Sequence, residues 1–227
     1  MQTRVYILAL TVLTLTSLRA EIHTDSLDAA LLYNKGTTAY EQSDMAQAVY
    51  NLELAHMLSP YDTEIEHNLR IAKADVAIDI VEIEGFFLKE WIVAMANMLS
   101  PGAWSYVTLL LVLVLLALVY RRYLQHKSGG LHSWLSIGLV AVLITATAAL
   151  GITREQILTS GRYGIVSEDS VQLKEGPDQV STDVKEVGAG VKVEILDRVG
   201  DWYKVAAMDR EQGWILSEYV MVLAVEG

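Results

Sequence analysis

Ala103–Tyr120 reads AWSYVTLLLVLVLLALVY, and the reading of this stretch decides the fold. It carries no charge and holds seven Leu and four Val. On the insertion scale those side chains contribute on the order of −5 kcal/mol towards crossing a bilayer. Trp104 and Tyr106 at one end, with Tyr120 and Tyr123 at the other, belong at the headgroup level. Ser100-Pro101-Gly102 separates the stretch from the uncharged residues that begin at Trp91. A second uncharged run, Ser133–Thr153, opens near Trp134. Its Gly138, Ala141, Thr145 and Ala149 form a small-residue stripe, read equally as a close-packing face or as lipid-facing filler. Between the runs lies Arg121-Arg122-Tyr123-Leu124-Gln125-His126-Lys127, then Ser128-Gly129-Gly130. A loop this short and positive is expected on the cytoplasmic side. The sequence thus predicts a transmembrane helix over 103–123, a cytoplasmic loop over 124–132 and a second transmembrane helix over 133–153.

The first twenty residues agree with that topology. Arg4 precedes an uncharged run from Val5 to Leu18, short for a span but suited to a signal peptide over 1–20. Cleavage is expected after Ala20, with an uncleaved anchor as the alternative. Either outcome delivers residue 21 onward to the outside, so both soluble parts are expected in the periplasm, held by the cytoplasmic (inner) membrane. The formal charge of −11 repels phosphate backbones and excludes nucleic acid as a partner. The absence of cysteine excludes disulfides, thiolate chemistry and cysteine-ligated zinc.

From Glu21 the pattern is helical. Gly36 falls inside a helix, where it costs roughly 1 kcal/mol relative to Ala and points to close approach by a neighbour. Asp44 and Gln47 make a capping-box-like start for a second helix that buries Met45, Ala48, Val49, Leu52 and Ala55. Ser59-Pro60 stops it, and Asp62 caps a third helix. With Pro60 as the closing proline, Leu32, Gly36, Ala48, Leu52 and Ala55 occupy positions that resemble a tetratricopeptide repeat, although Lys35 and Ala39 depart from its pattern. The helical module is set at 21–78. A single repeat cannot bury its own face, so a partner or the rest of this chain must complete it. Tyr33, Thr37 and Tyr40, at i, i+4 and i+7, are the candidate partner-binding stripe; core packing is the competing reading. Residues 79–102 read as an amphipathic juxtamembrane helix, either at the membrane surface or against the repeat.

Beyond Tyr163 the period becomes two. Val191, Val193 and Ile195 alternate with Lys192 and Glu194, and short strands follow one another between polar turns. This argues for a small all-β barrel over 160–225. Val171 to Pro177, Gly200-Asp201-Trp202-Tyr203-Lys204-Val205 and Gly213-Trp214-Ile215 resemble the successive segments of a bacterial SH3-like domain, with Lys174 where Arg is usual. Trp202 and Tyr203 are candidates for its shallow groove, and Trp214 is expected in the core; packing competes with ligand contact for each aromatic.

No catalytic constellation emerges. The histidines at 23, 56, 67, 126 and 132 are scattered, with no HExxH, P-loop, GxSxG or dinucleotide fingerprint. Asp75, Asp79 and Glu82 read as a solvated face. No enzyme activity, metal or cofactor is expected.

Taken together the chain reads as a multidomain α + β membrane protein: a TPR-like module, a two-helix transmembrane hairpin and an SH3-like barrel. This order resembles the E proteins of the Bacteroides aerotolerance operon. The resemblance implies a non-enzymatic, periplasm-facing scaffold working with membrane-anchored von Willebrand A-type partners in oxidative-stress tolerance or envelope integrity. The alternative is a module that binds peptidoglycan, or senses the envelope, through the SH3-like domain.

Overall fold

The computed structural model describes residues 28–76, 87–125, 131–207 and 211–225. The expected signal segment, the start of the juxtamembrane helix and most of the loop between the spans lie outside them. The described residues divide into two compact units, one within 85–156 and the other within 25–84 and 157–227.

In the first unit α4 (Phe87–Ala96) leads through a turn to α5 (Pro101–Gln125), and α6 (Leu131–Thr159) follows. Pro101–Arg122 and Trp134–Thr159 are long and apolar enough to cross a membrane. Both leave large apolar side chains uncovered, among them Leu116 at 58% and Leu139 at 62%. Thr108, about two turns into α5, donates to the Thr147 hydroxyl of α6 at 3.0 Å and joins the helices there. At one end the Arg122 guanidinium stacks 4.2 Å from the Trp134 ring centre. Gly151, where an added Cβ would stand 3.0 Å from Trp104 Cβ, packs at the other. The small-residue stripe faces outward: Gly138, Ala141, Thr145 and Ala149 are all exposed.

The second unit joins the two stretches that flank this pair in sequence. Helix α1 spans residues 28–41, followed by α2 (Met45–Leu58) and α3 (Thr63–Asp75). Asp44 accepts from the Gln47 amide at 3.0 Å, and Asp62 from the Glu64 amide at 2.9 Å, so each helix start satisfies an otherwise orphaned donor. Gly36 meets the expected close neighbour: a Cβ there would lie 2.7 Å from Leu52 Cγ. Of the α2 residues expected in the core, Ala48, Val49, Leu52 and Ala55 are buried, while Met45 at the first position is only half-buried. Ala46, Ala48, Val49, Asn51, Leu52, Glu53, Leu54 and Ala55 are all buried, because α2 is covered by helices on one side and by sheet on another.

That sheet has seven antiparallel strands, β1 (Tyr163–Val166), β2 (Val171–Lys174), β3 (Asp183–Val187), β4 (Lys192–Val199), β5 (Trp202–Ala206), β6 (Gln212–Leu216) and β7 (Val220–Leu223). Their spatial order is β3-β2-β6-β5-β4-β1-β7, and register shifts in the β2–β3 and β4–β5 pairs bend the sheet. One core lies inside it, around Val166, Leu173, Val187, Val193, Val205 and Ile215. A second joins Val49, Leu52, Leu54, Leu69 and Ala72 of the helices to Ile165 and Leu223 of the sheet. Each such aliphatic, taken fully out of water, contributes about 1.5–3 kcal/mol, so this shared core binds the stretches into one body. Gly190 lets them approach. Its φ of +82° suits glycine, and a Cβ would stand 2.7 Å from Val76 Cγ2. The helices are therefore covered by the chain's own sheet.

Candidate functional site

A carboxylate stands at the junction of helices and sheet. Glu53, only 3% exposed, lies 2.7 Å from Lys73 Nζ of α3 and 2.9 Å from Lys192 Nζ of β4. Burial alone would raise its pKa; the Lys192 and Lys73 ammoniums outweigh that and hold the carboxyl below its ordinary range. Lys192 also lies 5.0 Å from the Tyr163 ring centre, and its side chain is 23% exposed. Beside them His56, half-buried, has its pKa lowered mainly by burial. Gln47 Nε2 reaches Met221 Sδ at 3.3 Å along the same junction. These charges tie α2 to α3 and to β4. Among the described residues no group of three or more His, Cys, Asp or Glu is placed to hold a metal ion.

The candidate stripe on α1 turns towards α3. Tyr33 donates to Glu64 Oε1 at 2.8 Å, and burial followed by that hydrogen bond raises its pKa. Tyr40 donates to Asp75 Oδ2, a bond that raises the Tyr40 pKa. Thr37 bonds back to the Tyr33 carbonyl at 3.1 Å. All three remain half-buried.

An open groove lies instead on the barrel. Trp202 of β5 pairs with Leu216 of β6, and Lys174 of β2 pairs with Trp214 of β6. Directly paired residues share a sheet face. Trp202, Leu216 and Lys174 line a groove of about 470 Å³, with Glu168, Gln172 and Tyr219 among its other walls. Its rim includes Gln179, from the β2–β3 loop. Asp178 braces that loop, accepting from the Val180 and Ser181 amides at 2.9 and 2.7 Å. The Ser181 hydroxyl, at 2.8 Å, is the main reason the Asp178 carboxyl is held below its ordinary pKa. Val180 stands 95% exposed at the tip. Aromatic faces, one cation and one carboxylate along an open trough suit an extended chain with both apolar and polar groups.

Tyr203, the other candidate from this strand, alternates to the opposite face and packs against the barrel core, with Arg198 5.5 Å from its ring centre. The core position expected of Trp214 is taken by its neighbour Ile215, fully buried, while Trp214 is half-exposed on the outer face. Sequence reasoning missed Lys174, Leu216 and Tyr219 as groove walls. Strand pairing brings Lys174 and Leu216 to the side of Trp202, and the turn Ser217–Tyr219 after β6 brings Tyr219; the period-two spacing of Gln172 and Lys174 was the available signal.

The seven-stranded antiparallel sheet is consistent with a small SH3-like domain. Residues 169–221 match the bacterial SH3 domain family. No curated protein matches the chain significantly.

Proposed function

We propose that the protein is a non-enzymatic adaptor of the cell envelope, anchored in the cytoplasmic membrane by its helix pair, with its helix–barrel body in the periplasm. One observation carries this reading: Glu53, which precedes the pair in sequence, is held 2.9 Å from Lys192, which follows it. Segments on either side of the pair form one body only if both lie on the same side of the membrane. Two crossings satisfy that and one does not. The basic residues Arg121, Arg122 and Lys127 between the spans favour a cytoplasmic turn, which leaves the body outside.

The groove beside Trp202 is the surface that meets a partner, taking an extended peptide segment of another envelope protein. The resemblance in domain order extends the proposal to von Willebrand A-type membrane partners and a role in aerotolerance or envelope integrity. Cross-linking in membranes, then purification in mild detergent, is expected to recover partner subunits with the wild type and far less with Trp202→Ala. A lone monomer under both conditions would refute the adaptor reading.

A second reading, a cell-wall-binding module, is favoured by the bacterial SH3 match over 169–221 and by the same groove. Sedimentation of the full chain with purified peptidoglycan separates the two, since only wall binding carries the protein into the pellet in a Trp202-dependent way.

A further inference from the structure

We infer that α4 and the turn after it form a lipid-binding surface, lying in the headgroup layer at the outer end of the helix pair. The inference rests on the reading that α5 and α6 cross the bilayer.

Two polar tethers fix the position of α4. Trp104 of α5 donates its indole N–H to the Ala96 carbonyl at 3.0 Å, and the bond is buried. Arg154 of α6, 3% exposed, donates to Asn97 Oδ1 at 2.9 Å. The end of α4 is thereby held to the beginning of α5 and to the far end of α6. Ser100 opens α5, accepting from the Ala103 amide through its hydroxyl at 3.2 Å, so α4 does not run on into α5 as one span.

Helix length then sets the depth. The apolar stretch Pro101–Arg122 has 22 residues. At about 1.5 Å per residue it covers about 33 Å, against a hydrocarbon core of about 30 Å. Pro101 therefore stands at the boundary of that core, and the tethered turn at 97–100 lies beside it.

The uncovered face of this segment is apolar. Trp91 is 63% exposed, Ile92 40% and, in the turn, Met98 62%. Trp91, Ala94 and Met98, at i, i+3 and i+7, lie along one side, while Ala96 is fully buried where the tethers attach. Glu90 next to Trp91 is exposed. An indole beside a carboxylate, at the end of a span, is the chemistry of the bilayer interface, where an aromatic ring takes both apolar and hydrated surroundings. The occupant is a phospholipid surface: the apolar patch is continuous with the start of a lipid-facing helix.

The cysteine-free chain permits a direct test. Single cysteines replace Glu90, Trp91, Met98 and Leu116 in the full-length protein, which is spin-labelled in phospholipid nanodiscs. Collision with oxygen is compared with collision with a water-soluble nickel chelate. At Trp91→Cys and Met98→Cys the oxygen-to-nickel ratio is expected to exceed that at Glu90→Cys by about threefold or more, and to stay below that at Leu116→Cys. Met98→Cys keeps Trp91 in place, so its value does not depend on losing the indole. A ratio at 91 and 98 equal to that at 90 would overturn the inference while Leu116 still reads as hydrocarbon. So would labels at 91 and 98 that collide with neither reagent, because another protein surface would then cover them. If Leu116 itself reads as water, the crossing reading has failed and this inference falls with it.

Discussion

Replacing Glu53 by Gln tests whether the helices and the barrel are fastened by charge as well as by apolar contact. The carboxylate is almost fully buried between ammoniums at 2.7 and 2.9 Å. At an effective dielectric constant of about 20, each contact is worth about 6 kcal/mol before desolvation, and desolvating the carboxylate cancels most of that sum. Removing one member of a buried ion cluster typically costs about 3–5 kcal/mol, because the charge left behind stays uncompensated. Here the charges left behind belong to Lys73 and Lys192, whose side chains are 26% and 23% exposed. Both ammoniums can bend towards water, which moves the expected loss to about 2–3 kcal/mol. Urea unfolding of the full chain in mild detergent, followed by tryptophan fluorescence, reads the change as a lower midpoint at constant slope. Hydrogen exchange should show amides of α2 and β4 losing protection together. In a double-mutant cycle, Glu53→Gln and Lys192→Met should couple by about 1 kcal/mol or more. A loss below about 0.5 kcal/mol, or strictly additive costs, would refute the claim that this cluster fastens the two stretches.

Acid should act on the same junction. Glu53 has a folded pKa below its unfolded one, so the folded state binds fewer protons and stability rises with pH across that window. The contribution is complete above the unfolded carboxylate value of 4.5 and is lost as pH falls through the folded value. His56, also lowered, adds a loss that begins as pH drops below its ordinary 6.5, so unfolding midpoints measured from pH 7 to pH 4 should fall steadily. Gly36→Val should destabilise by about 1–3 kcal/mol in thermal or urea unfolding, because overpacking against Leu52 outweighs the gain in helix propensity. Trp202→Ala should abolish capture of the groove's ligand while shifting the unfolding midpoint little. Tyr203→Ala should do the reverse, costing about 2–4 kcal/mol through lost packing in the barrel core.

How much of this was legible depends on whether the cause of each feature was local in sequence. Uncharged runs, caps at Asp44 and Asp62, and the alternation through Val191–Ile195 are local signals, and the structure carries helices and strands where they predict them. Gly36 was legible for the same reason, since a glycine inside a helix needs a neighbour. Glu53 was not. A glutamate in a helix reads as solvated, and the lysine that buries it lies 139 residues away. The covering of α2 by β1 and β7 is likewise non-local; the sequence left open whether a partner or the chain itself would cover that face. Trp214 and Tyr203 show a finer limit. In a strand, neighbouring residues face opposite ways, and only the register decides which goes inward. Ile215 and Val205 take the core positions, which turns Trp214 outward and leaves Tyr203 inside.

The proposed function requires the stretches before and after the helix pair to form one body outside the cytoplasm. Gln47 and Met221, whose side chains meet at 3.3 Å, allow that to be measured in intact cells. With both positions changed to cysteine in this cysteine-free chain, a short, membrane-impermeant bis-maleimide should link them within one molecule, and either cysteine alone should give no such product. Cysteines that react singly, or only with a permeant reagent after the membrane is opened, would contradict it.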